Sequence, residues 1–147
     1  MRIRKAALAD AGLITDFNLK LAKETESLTL DPERVAAGVT AVLKDASKGV
    51  YFLAEEDGEV AAQMLITYEW SDWRSGNFWW IQSVYVKEAF RQRGIFRAMF
   101  THLQELTREN PKVCGLRLYV DADNERARRS YERLGMSQSH YQIFEVE

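Results

Sequence analysis

The sequence predicts an α/β (α+β) domain, a mixed, partly parallel, twisted sheet of about six to seven strands flanked by about four helices. Three observations support that expectation. The second half of the chain alternates strand, helix, strand, helix, strand, the order that builds parallel crossovers with helices packed on a sheet. Two apolar runs flank Asp57-Gly58, whose residue types favour the positive φ of a tight hairpin, so the first half holds an antiparallel pair. Apolar stripes at helical spacing, with capping residues in front of them, supply the helices.

In order, Ile3 to Ala6 reads as a short strand. Asp10 is placed to cap a helix that turns Leu13, Ile14, Phe17 and Leu21 inward and ends near Ser27. Asp31-Pro32 pairs a capping residue with proline at the first helical position, and Val35, Val39, Val42 and Leu43 form the stripe that follows. Tyr51 to Glu55 and Val60 to Glu69 are the hairpin strands, and Phe78 to Val86 pairs next across Ser75-Gly76-Asn77. Ile95, Met99, Phe100, Leu103 and Leu106 keep helical spacing until Asn110-Pro111 ends the helix. Leu116, Leu118 and Val120 alternate as a crossover strand, a helix spans Asn124 to Leu134, and Tyr141 to Val146 reads as a final strand.

The 147 residues form a single domain, 1-147, with no repeat, low-complexity stretch or linker. Cys114 is the only cysteine, so neither an intramolecular disulfide nor a multi-cysteine zinc site can form, and its apolar neighbours point to a buried, inert thiol in a cytoplasmic protein. No run of about 18 apolar residues supports a membrane span, and a net charge of -2 speaks against nucleic-acid binding over an extended face. His102 and His140 lack ligand spacing, so no metal site is expected.

Against that mild global charge, Arg91, Arg93 and Arg97 cluster where the strand ending in Val84, Tyr85 and Val86 meets a helix start. Gly94 permits close backbone approach, and unpaired first-turn amides with the positive dipole end can hold a pyrophosphate. Downstream, Asn124, Ala127 and Tyr131 share one helix face, with Asn124 as cap and Gly135 as stop.

These two motifs resemble those of the GCN5-related N-acetyltransferase (GNAT) superfamily. Its pyrophosphate loop is matched by Arg91, Arg93, Gly94 and Ile95, and its later motif by Asn124, Ala127, Tyr131, Gly135 and Met136. Phe96 stands where the family usually has glycine or alanine, and either narrows the loop or turns into the core as a helix residue. The resemblance implies acetyl-CoA as co-substrate, its pyrophosphate on the amides of Gln92 to Phe96 and its pantetheine arm beside Val84 and Val86, where two parallel strands splay. It implies direct acetyl transfer to an amine of a small molecule or peptide, with no covalent enzyme intermediate.

In that reaction Tyr131 is the expected catalytic acid, since a phenol titrating near ~10 stays protonated at neutral pH; the alternative is a core tyrosine with a structural partner. An acceptor ammonium with pKa near ~10.4 must lose a proton before it attacks, and Glu69 is the candidate base, set against a solvated carboxylate at a strand end. Gln82 would orient the acceptor or a water. All four tryptophans fall between Tyr68 and Trp80; Trp70 and Trp73 are the pocket candidates, whereas Trp79 and Trp80 are expected in a core or a subunit contact, so a homodimer is possible. Glu24 and Glu26 lie in a segment with which the family walls the acceptor site. A CoA-binding module without turnover, or an interaction domain using the tryptophan-rich hairpin, are the competing functions.

Overall fold

A computed structural model describes residues 1–147. Five strands, β1 (Arg2–Lys5), β2 (Val50–Glu56), β3 (Glu59–Ser71), β4 (Gly76–Val86) and β5 (Val113–Leu118), form one sheet in sequence order. The first four pair antiparallel and β5 joins β4 in parallel. Helices α1 (Ala11–Glu26) and α2 (Pro32–Lys44) precede β2, α3 (Ile95–Glu109) crosses from β4 to β5, and α4 (Glu125–Arg133) follows β5.

Strand alternation sends neighbouring residues to opposite faces, and each face has its own core. Phe52, Met64, Ile66 and Ile81 meet Ile95, Met99, Phe100 and Leu103 of α3 on one side. Burying those four α3 side chains contributes about 6–12 kcal/mol of gross hydrophobic stabilisation at about 1.5–3 kcal/mol each. On the other side Tyr51 and Leu53 meet Ile14 of α1 and Val39 of α2.

Local chemistry explains the element ends. Asp31 caps α2 by accepting the Glu33 amide proton at 3.0 Å, and Ser27 ends α1 in the left-handed conformation. Asp57 (φ 53°) and Gly58 (φ 80°) make the β2–β3 hairpin. Gly76 is needed for a different reason: a Cβ there would lie 2.5 Å from the Lys112 carbonyl oxygen, which accepts the Asn77 amide proton and starts the β4–β5 pairing.

Three expectations are corrected. Asp10 does not cap α1; it closes a short 3-10 turn, Leu8–Asp10, by accepting the Ala7 amide proton and binding the Arg4 guanidinium at 2.8 and 3.0 Å. Arg4 holds the Asp10 carboxyl below its ordinary pKa. Cys114 is half-buried rather than buried. The sheet has five strands because Tyr141 to Val146 is not one: β5 is the sheet edge, and the segment makes no ladder pairing although Tyr141 and Ile143 line the same groove as β5. No helix is long and apolar enough to cross a membrane.

Along β4, one irregularity positions the site. Leu65 opposes Gln82, yet Gln63 opposes Tyr85, so β4 carries one extra residue, and Ser83 sits at φ 50°. Buried Gln63 pins this bulge: its Nε2 donates to the Ser83 carbonyl at 3.0 Å and to Asn18 Oδ1 at 2.7 Å, while Asn18 Nδ2 donates to Tyr51 Oη. The β4–β5 pairing stops at Ile81 and Leu118, just before the bulge.

Candidate active site

From Gln82 onward β4 has β3 on one side and no strand on the other. The side chains of Val84 and Val86 pack on the α3 core, and Tyr85 is buried on the α1 face with its ring 5.0 Å from Phe17. Main chain, not side chain, therefore lines the open flank of this strand. Burial, and then the Glu24 charge, push the Tyr85 phenol up.

At the end of β4 the chain turns through Gln92 (φ 63°) and Gly94 (φ 75°) into α3. The first bond of the helix runs from the Ala98 amide to the Gly94 carbonyl, so the amides of Gln92, Arg93, Gly94, Ile95, Phe96 and Arg97 have no backbone acceptor. Six consecutive free N–H groups at the positive end of a helix dipole make an anion cradle. A Cβ built on Gly94 meets nothing within 4 Å, so the space before the loop is open.

The loop arginines divide their work. Arg91 is a staple, donating from Nε to the Val86 carbonyl at 2.8 Å and from its guanidinium to Glu24 at 2.7 Å, with the Tyr85 ring 5.6 Å away. Arg93 lies over Phe90 and 3.5 Å from Asp57, whereas Arg97 is exposed and makes no ion pair. Ile95 is buried in the core, and Phe96 is half-buried in the first helical turn, touching Phe100 and the Tyr131 ring (5.9 Å, 69°). Phe96 thus turns inward as a helix residue and braces Tyr131.

Asn124 caps α4 by accepting the Ala127 amide proton at 3.1 Å, so Ala127 and Tyr131 lie along the first two turns. Tyr131 is half-buried, and burial alone raises its phenol above the ordinary value. Its side chain lines a groove of about 680 Å³ that also contains Glu69, Phe78, Trp80, Arg117 and Tyr119. The two proposed proton carriers, from β3 and α4, are therefore brought to one groove. Glu69 accepts from Trp80 Nε1 at 3.0 Å and from Arg117 at 3.2 Å; Arg117 covers the Phe78 ring at 3.6 Å, and Trp80 stacks on Tyr119 at 4.4 Å. Two donors and two aromatic contacts fix the position of that carboxylate.

Gln82, one face with Trp80, donates from Nε2 to Thr67 Oγ1. Glu24 is engaged by Arg91 and by the Tyr85 hydroxyl at 3.4 Å, while Glu26 is exposed near the end of α1. Trp70 and Trp73 stand at the β3–β4 hairpin, 61% and 87% exposed, outside the groove lining. Trp80, expected in a core or subunit contact, is in the groove instead. Arg117 and Tyr119 were not singled out from sequence, although their alternation with Leu116 and Leu118 marks a polar face on an otherwise apolar strand.

Residues 18–136 match the GNAT family of acetyltransferases. The crystal structure of a possible acetyltransferase from Clostridium difficile 630 superposes with a TM-score of 0.95 at 43% identity, over 99% of this chain and 96% of that one. A predicted acetyltransferase from Clostridium acetobutylicum, crystallised with acetyl-CoA, gives 0.80 at 18% identity over 99% and 95% of the two chains. Glucosamine-6-phosphate N-acetyltransferase from Arabidopsis thaliana gives 0.72 at 20% identity over 99% and 97%. Among curated proteins no sequence match is found.

Proposed function

Because this chain belongs to the GNAT acetyltransferase family and is an acyl-CoA-dependent N-acetyltransferase, we propose that the free amides of Gln92 to Phe96 hold the pyrophosphate of acetyl-CoA. One observation supports this most: the unpaired amide run adjoins the only open flank of β4, so a phosphate cradle and a row of main-chain groups for pantetheine amides are continuous. Arg91, Gln92, Arg93, Gly94 and Ile95 shape the cradle, Val84, Tyr85 and Val86 offer their backbone to the arm, and Asn124, Ala127 and Tyr131 form the opposite wall. The acetyl-CoA-bound relative from Clostridium acetobutylicum supports the same donor here.

When bound, the coenzyme supplies a thioester carbonyl for direct attack. Tyr131 holds a proton on Oη, kept there by burial, for the sulfur that departs. Glu69 takes the proton of the acceptor ammonium, directly or through water, and Gln82, steadied by Thr67, orients the acceptor or that water. The acceptor is an amine of a small molecule or peptide; Trp70 and Trp73 at the hairpin are the rings available to a cationic group, and Glu26 is the carboxylate left free once Arg91 has engaged Glu24. The lone Cys114 fits a reducing, cytoplasmic setting.

Release of free thiol from acetyl-CoA, measured against polyamines, aminoglycosides, amino acids and peptide N-termini, tests this reading. At least one amine class is expected to raise the rate above that in buffer, and Glu69→Gln is expected to lower kcat/KM for it by about 10²–10⁴. A Glu69→Gln enzyme with wild-type kcat/KM removes Glu69 from the chemistry.

A further inference from the structure

We infer that the amine acceptor is an amino acid, its carboxylate held between the Arg74 and Arg117 guanidiniums while Glu69 receives its ammonium. This names the substrate class of the groove described above and so rests on the acetyl-transfer reading. The groups involved converge on one ring. Phe78 of β4 is buried, and both guanidiniums lie over it, Arg117 at 3.6 Å and Arg74 at 5.1 Å from the centroid. Arg117 also reaches Glu69 at 3.2 Å. Two cations therefore stand beside the carboxylate that serves as base.

Their donors are not spent. Arg74 lies in the β3–β4 turn, its backbone amide donating to Ser71, and its side chain makes no hydrogen bond and no ion pair. Arg117 uses one of its five N–H groups, on Glu69. Glu69 accepts from Trp80 on Oε1 and from Arg117 on Oε2, which leaves lone pairs on both oxygens for an ammonium. Arg128, the third arginine of the groove, is already bonded to the Ala122 carbonyl and the Gln138 side chain. Glu69 and Glu132 are the only acids in the lining, so positive charge is in excess here, in a chain of net charge -2.

Spacing selects the class. Because base and guanidinium are in contact, a substrate whose nitrogen meets Glu69 has its anion site only a few bonds away, the layout of an amino acid. A polyamine would set a second cation against the arginines instead. Leu118, Tyr119 and Ile143 line the groove with apolar surface for the amino-acid side chain. In the reaction Glu69 takes one ammonium proton, the nitrogen bonds to the acetyl carbon, and the carbon–sulfur bond breaks as Tyr131 gives its Oη proton to sulfur. A second nitrogen proton, passed through solvent, restores Tyr131. The products are an N-acetylamino acid and the CoA thiol, with one proton released overall.

The test compares the twenty common amino acids with their α-carboxamides, which keep the amine and lose the negative charge. In thiol-release assays at least one amino acid is expected to exceed its amide in kcat/KM by about 10–100-fold, chiefly through KM. Arg74→Gln, folded by circular dichroism, should lower that ratio at least tenfold, and Arg74→Lys should retain most of it. Amides that equal or exceed their acids, or an Arg74→Gln enzyme with the wild-type ratio, overturn the assignment while leaving acetyl transfer in place. A second measurement reads binding alone: with CoA present, amino acids at millimolar concentration should raise the Tm of the wild type and not of Arg74→Gln. That difference supports the anchor even where no amine releases thiol, an outcome that would strike acetyl transfer instead. Absence of stabilisation by every amino acid overturns the anchor.

Discussion

Tyr131 and Phe96 illustrate how single side chains shape the groove. The Tyr131 ring meets the edge of Phe96, which is itself fixed against Phe100 in the first turn of α3. The Tyr131 ring is thus held by the same turn that carries the free amides, and Phe96 turns inward to pack on the core. Burial shifts the phenol upward from 10, so the acid form persists as pH rises through neutrality and is lost only above that value. Tyr131→Phe is expected to reduce kcat by about 10²–10⁴ with CoA affinity retained. In thiol-release assays an unchanged kcat would assign Tyr131 a packing role only. From sequence, the motif residues announced this tyrosine, but its brace was invisible, because the packing of Phe96 depends on where α4 lies over α3.

Among the elements, β4 does most to make the site. Its bulge at Ser83 adds a residue after Gln82, and from there β5 no longer follows it. Gln63 holds that arrangement from the neighbouring strand, although its own Oε1 is buried without a partner. Replacing Gln63 by leucine relieves that one oxygen but strips a donor from both Asn18 Oδ1 and the Ser83 carbonyl, each orphan costing about 1–3 kcal/mol. Gln63→Leu is therefore expected to destabilise by about 1–3 kcal/mol net. At about 2–4 °C per kcal/mol that lowers Tm by about 2–12 °C, and CoA affinity should fall with it. A variant with wild-type Tm and CoA affinity would show that the bulge holds itself. Helix stripes, the Asp57-Gly58 turn and the Gly94 loop could be read from residue types because each rests on local geometry. The bulge could not, since serine rather than glycine occupies the positive φ and only the register of β3 against β4 shows the extra residue. Tyr141 to Val146 misled in the opposite way: its alternation is that of a strand, but a strand also needs ladder hydrogen bonds, and this segment makes none with β5.

At the scale of the molecule, two cores clamp one sheet from opposite faces, and the site opens where β4 and β5 stop pairing. In a chain of net charge -2, the free donors at the β4–α3 junction are mostly backbone amides, because Arg91 and Arg93 are already engaged with Glu24 and Asp57. The glycine turn into α3 and the Asn124 cap of α4 were legible together because both are short and local, and they lie on the two connections that flank the parallel β4–β5 pair. Arg117 and the Trp80–Tyr119 stack, by contrast, take their meaning from cross-strand neighbours. Calorimetric titration of CoA into the wild-type protein and Gly94→Glu tests whether the amides of Gln92 to Phe96 hold its pyrophosphate. Residue 94 has a left-handed φ but open space before it, so the substitution strains the backbone by about 1–2 kcal/mol without a clash. The wild type is expected to bind CoA, and Gly94→Glu, still folded by circular dichroism, to bind at least tenfold more weakly. Equal affinity in the two proteins would remove the pyrophosphate from this loop.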